Sequence, residues 1–76
     1  MPAEFRHLPK NFGRTVRKLR LDAGLSQIDL AEKADLNFNF IGSIERGEKL
    51  ASLETIARLA KAFGLTGGEL LRRAGI

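Results

Sequence analysis

Apolar residues recur every three or four positions along most of this chain, and most such runs open on a small polar residue and close on a glycine. Phe12, Val16, Leu19 and Ala23 form one stripe, predicting a helix from about Phe12 to Ala23, with Asn11 as its N-cap and Gly24 as its stop. The second helix has the clearest start. Ser26 caps it, Asp29 three residues later completes a capping box, and Leu25 with Leu30 forms a hydrophobic staple. Leu30, Ala31 and Ala34 face inward, and the small Ala31 lets another helix approach. After a short turn at Asp35 and Leu36, Asn37 caps a third helix from about Phe38 to Arg46, with Ile41 and Ile44 inward and Gly47 at its end. A loop from Glu48 to Ala51 leads to Ser52, the cap of a fourth helix from Leu53 to about Phe63. Its inward residues are Leu53, Ile56, Leu59, Ala60 and Phe63, and Gly64 stops it. Thr66 and Glu69 make another capping box, opening a short fifth helix to about Arg73. No alternating run supports a strand. The expected fold class is all-α, a compact bundle of about five short helices.

Residues 1–10 hold both prolines and show no period, so they are expected to form an arm before a single domain at 11–76. A chain of 76 residues makes one small domain. Such a domain buries only about 60% of its unfolded surface, so its stability gains from a partner. Thirteen Lys and Arg against nine Asp and Glu leave a net charge of +4, which favours a polyanionic partner. The absence of Cys removes disulfides, thiolate ligands and Cys nucleophiles together, and with a single His it removes the common zinc arrangements. Neither a signal peptide nor a membrane span is visible, so the expected location is the cytoplasm, with no membrane partner. No cofactor and no small-molecule effector is indicated.

The second and third helices, joined by a short turn, have helix-turn-helix spacing, and the outward face of the third is then free to enter a DNA major groove. At these residues the chain resembles a known family. Gly24-Leu25-Ser26-Gln27, Leu30-Ala31-Glu32-Lys33-Ala34, Ile41-Gly42-Ser43-Ile44-Glu45-Arg46-Gly47, Ser52-Leu53-Glu54-Thr55 and Leu59-Ala60-Lys61-Ala62-Phe63-Gly64 are similar to the phage repressor and Cro type of helix-turn-helix, over about Phe12 to Leu71. Phe40-Ile41-Gly42 followed by Ile44-Glu45-Arg46-Gly47 resembles the controller proteins of restriction-modification systems.

The resemblance implies roles. Gln27, at the start of the second helix, would donate from an exposed amide to a phosphate. Asn37, Phe38, Asn39, Gly42 and Ser43 would face the bases. Asn39 can pair with an adenine edge, Ser43 reads weakly, and Gly42 would allow close approach. Phe38 stands where the family usually has a polar residue. It either touches thymine methyls or folds back beside Phe40, which is expected at the core. Arg20 and Glu45 resemble a family ion pair tying the first helix to the third. Arg46 and Lys49 are phosphate candidates, and Arg17 is the best of the first-helix cations. Asp35 replaces a common Gly and would need a left-handed backbone, which Asp tolerates better than most residues. Leu50-Ala51 replaces a common Asn-Pro and leaves Leu50 without an evident partner.

One domain reads only a few base pairs, and the family solution is a two-fold dimer. Leu50, Leu65, Leu70, Leu71 and Ile76 are the interface candidates, with Leu65 and Leu70 also suited to the monomer core. The expected function is a homodimeric, sequence-specific regulator bound to a double-stranded operator built as an inverted repeat. A second class of reading is a protein-interaction module, such as an antitoxin-like partner in a toxin–antitoxin pair. An enzyme is disfavoured. No paired carboxylates, phosphate-binding glycine loop or His/Ser/Asp set is present, and the single His lies in the arm.

Overall fold

The computed structural model describes residues 5–76. Five helices follow in order: α1 Leu8–Asp22, α2 Gln27–Ala34, α3 Phe38–Glu45, α4 Leu53–Ala62 and α5 Gly67–Arg73. Among the described residues there is no strand. No helix among the described residues is long and apolar enough to cross a membrane.

Four of the five starts follow local side-chain chemistry. Ser26 and Thr66 each accept a hydrogen bond from the backbone N–H of the acidic residue three positions on, while Asp29 and Glu69 reach back to the cap N–H at 2.9 Å. Asn37 Oδ1 accepts from the Asn39 N–H at 2.8 Å, and Ser52 Oγ from the Thr55 N–H at 3.1 Å.

The first helix departs from its expected boundary. It begins at Leu8, so Asn11 is an interior residue and not a cap, and Leu8 to Lys10 belong to the helix instead of an arm. Pro9 explains the earlier start. It sits in the first turn, where a missing N–H loses no bond and its fixed φ already suits a helix. His7 stands at the N-cap without a side-chain bond. Of the rest of the proposed arm, residues 5–7 form the turn before α1, and residues 1–4 lie outside the described residues.

Val16, Leu30, Ile41, Ile44, Leu59 and Leu70 are fully buried and form the centre of the core. Around it α1 packs on α3, α2 on both α3 and α4, and α5 on α4. Two apolar residues fall elsewhere than the periodicity predicts, and one interface candidate falls inside the core. Leu53 is 85% exposed, because the buried line of α4 runs through Thr55, Leu59 and Ala60 and leaves Leu53 on its flank. Ala23 caps the end of α1 and is exposed. Leu70 is wholly inside, so its place among the subunit contacts is corrected: it has no surface to offer a partner.

Two positions fix how α1 lies across α3. A methyl group at Gly13 would collide with the backbone carbonyl of Ile44 and lie 2.8 Å from that of Glu45. At Gly47, whose φ is +74°, it would lie 2.7 Å from the Lys10 side chain. Two backbones therefore touch at the exit of α3, and the angle of that helix is set there.

Candidate nucleic-acid interface

α3 is presented by packing on one side and a polar network on the other. Ile41 and Ile44 anchor it in the core. Glu45, in its last turn, takes two hydrogen bonds from Arg20 of α1, Nε to Oε2 at 2.7 Å and Nη2 to Oε1 at 3.0 Å. Arg20 Nη1 also donates to the Leu25 carbonyl at 2.9 Å, just before α2. The two side chains retain 9% and 3% of their exposure, and the bond to Glu45 raises the Arg20 pKa. One guanidinium thus joins the end of α1, the turn before α2, and α3. Buried with its donors and acceptors used, such a pair fixes orientation more than it adds net stability.

Gln27 joins this network. Its Nε2 donates to Glu45 Oε1 at 3.1 Å, and the residue is half-buried. The expectation of an exposed amide is corrected, because one of its two N–H donors is held by Glu45. The shared carboxylate is what draws it in.

The outward side of α3 forms an open concavity lined by Gln27, Phe38, Asn39, Gly42, Ser43 and Arg46. Four of the five proposed base-facing residues therefore meet on one face. Phe38 and Asn39 are exposed there and Ser43 is half-buried. Asn37 stands just before it, with its side-chain oxygen occupied as the helix cap. Phe38 does not fold back onto the domain: it is 46% exposed, while Phe40 is half-buried against the core. Gly42 is buried and not an exposed position. The Arg46 guanidinium lies back over it, with Nη1 3.0 Å from where a Gly42 side chain would begin.

Arg46 is held there by Glu48, Nε to Oε2 at 3.0 Å and Nη2 to Oε1 at 3.1 Å. The hydrogen bond raises the Arg46 pKa and lowers that of Glu48. The spacing gave no sign of this partner, because the bond depends on how the chain turns at Gly47. The side-on pair uses Nε and one Nη2 hydrogen, leaving the far edge of the guanidinium as a donor. Arg17 is not part of this face. It lines a separate shallow concavity with Arg14, Lys18 and Leu21 on α1. Lys49 borders an apolar groove shared by Leu50, Ile56, Leu71 and Ile76, with Leu8, Pro9 and Phe12 on its α1 side. Leu50 and Ile76 are 64% and 52% exposed, whereas Leu65 and Leu71 are partly buried against the core.

Two short helices, the turn between them at Asp35, whose φ of 54° is left-handed, and an outward third-helix face with the core behind it define a helix-turn-helix unit. The family model described as "Helix-turn-helix" matches residues 16–70. The chain is 41% identical to control protein C.BamHI of Bacillus amyloliquefaciens over 79% of its length and 75% of the relative's. It is 38% identical to control protein C.SmaI of Serratia marcescens over 95% of its length and 86% of the relative's. The crystal structure of the restriction-modification controller protein C.AhdI from Aeromonas hydrophila superposes with a TM-score of 0.78 at 39% identity, covering 82% of this chain and 94% of that one. The chain belongs to the helix-turn-helix family. Within it, the protein is a DNA-binding transcription regulator of the controller type.

Proposed function

We propose that this protein binds an operator as a homodimer, reads its sequence through the major groove, and regulates a restriction-modification system. The observation that carries this reading is the joint placement of Phe38, Asn39 and Ser43 on one concave, solvent-facing side of α3, with Ile41 and Ile44 buried on the opposite side and Glu45 on its flank held by Arg20. A helix held this rigidly presents its base-facing side chains already oriented, so little conformational freedom is lost on docking. Arg46 and the remaining Gln27 N–H lie at the rim, as donors to phosphates. The dimer reading rests on the apolar groove lined by Leu50, Leu71 and Ile76, in which Leu50 and Ile76 are more than half exposed. Its action belongs in the cytoplasm, on the double-stranded inverted repeat that a two-fold dimer matches. In a dimer that binds as a unit, occupancy rises with the protein's own concentration through the dimer equilibrium.

Selection of bound fragments from random duplexes tests this. The expected product is a two-fold symmetric sequence with half-sites about 10 bp apart, centre to centre. Its affinity should fall steeply and log-linearly with salt. Failure to enrich any sequence, or binding indifferent to salt, overturns the reading. Co-purification of a stable protein partner with no DNA binding would favour an antitoxin-like module.

A further inference from the structure

Phe38 is the exception on the reading face. The other five residues lining that concavity are polar, charged or glycine. A half-exposed aromatic ring is unremarkable on a random surface, but this one is the first residue of α3, directly after the Asn37 cap. The N-terminal residues of a reading helix are the ones that meet base edges. Asn37 Oδ1 holds the backbone of that first turn through the Asn39 N–H at 2.8 Å, so the backbone that carries the ring is set before DNA arrives. Phe40, two residues on, is drawn against the core instead.

A phenyl ring has no hydrogen-bonding group with which to read donors and acceptors. The base feature it distinguishes in the major groove is a methyl group on pyrimidine C5. Thymine carries that group, and 5-methylcytosine places the same group at the same position in a G·C pair. We propose that Phe38 is a specificity-determining residue that reads a pyrimidine C5-methyl group. This rests on the DNA-binding reading above and adds to it the base feature recognised. Phe38 sets the preference for a methylated pyrimidine edge, and its neighbour Asn39 pairs with an adenine edge by hydrogen bonding.

The test uses the full chain and the duplex enriched from random sequence. Thymines in each half-site are replaced one at a time by deoxyuridine, which removes the methyl and nothing else. At one symmetric position the affinity should fall about fourfold, the scale of one buried methylene-sized group. Phe38→Ala should bind more weakly and lose that response, and Phe38→Leu should keep part of it. Replacing the sensitive T·A pair by C·G, and then by 5-methylcytosine paired with G, separates the two sources. Recovery on methylation means that the methyl itself is read and that cytosine methylation tunes binding. No recovery restricts the reading to thymine. Unchanged thermal unfolding of Phe38→Ala, expected for an exposed side chain, assigns its loss to recognition. If the parent protein discriminates sequences but no thymine methyl matters, or if Phe38→Ala keeps the response, the assignment is overturned while the regulator reading stands. A Phe38-dependent affinity blind to every methyl would make the ring a wedge between base steps and equally overturn it. Failure to enrich any duplex overturns both.

Discussion

The Arg20 guanidinium meets the Glu45 carboxylate side-on, through bonds of 2.7 and 3.0 Å, with both side chains nearly sealed from solvent. Arg20→Met leaves that carboxylate buried with only Gln27 Nε2 as a partner. The expected cost is about 3–5 kcal/mol, because an uncompensated buried charge costs more than the intact pair contributes. The joint variant Arg20→Met with Glu45→Leu should recover most of it in urea unfolding. Its DNA affinity should stay low, since the bond that orients α3 is gone. Full DNA affinity in the joint variant would show that the pair has no orienting role.

Gly13→Ala is expected to destabilise the domain by about 1–3 kcal/mol or more, although alanine normally favours a helix over glycine. Its methyl would push on the carbonyls of Ile44 and Glu45, which are backbone and cannot swing aside. The predicted signature is a lower urea midpoint together with a larger loss of DNA affinity than unfolding explains, because α3 itself must move. An unchanged midpoint would mean that α1 and α3 are packed less closely than described.

These two positions also mark what can be read from the chain. The core was legible, because Val16, Leu30, Ile41, Ile44 and Leu59 fall on the apolar stripes of their own helices, and those stripes are what folding buries. Four of the starts announced themselves as Ser26, Asn37, Ser52 and Thr66, each bonding within its own first turn. The outward face of α3 was legible as positions, since exposure on a short helix follows from which residues are buried. Gly13 gave no local signal: its reason is a neighbouring backbone more than 30 positions away. Gly42 and Gln27 were misplaced for the same kind of reason. The side chains that cover or hold them, Arg46 and Glu45, reach them only once the chain has folded. Leu53 shows the limit of periodicity, which locates a stripe but not its edge.

Asp35 occupies a left-handed backbone at φ 54° and pairs with Arg58 at 2.9 Å. Replacing it separates the two contributions. Asp35→Gly removes the pair and relieves the backbone, so stability should stay within about 0.5–1 kcal/mol of the parent. Asp35→Ala removes the pair and worsens the backbone fit, and should cost about 1–2 kcal/mol. Equal losses in urea unfolding would give the ion pair, not the backbone, the larger part.

Leu50 is 64% exposed and lines the apolar groove that it shares with Leu71 and Ile76. Leu50→Glu should weaken dimerisation by at least tenfold in sedimentation equilibrium, the scale of losing one buried leucine, with the charge adding to it. Monomer stability should change little, because little of this side chain is buried. Operator binding should then require higher protein concentration and lose its steepness. An unaltered dimer constant would place the subunit contact elsewhere on the surface.

Acid should weaken the fold through its caps. Asp29 accepts the Ser26 N–H and Glu69 accepts the Thr66 N–H, and each bond lowers the carboxyl pKa below its ordinary value. Between the folded and unfolded pKa values the unfolded chain binds more protons, so stability falls as pH falls there. The contribution is fully present above the ordinary carboxylate range. It disappears as pH drops through the folded values, just below that range. Asp29→Asn combined with Glu69→Gln should lower the urea midpoint at neutral pH and flatten its decline toward acid. Glu48, lowered by its bond to Arg46, supplies part of the slope that remains. A double variant as acid-sensitive as the parent would put the sensitivity in other carboxylates.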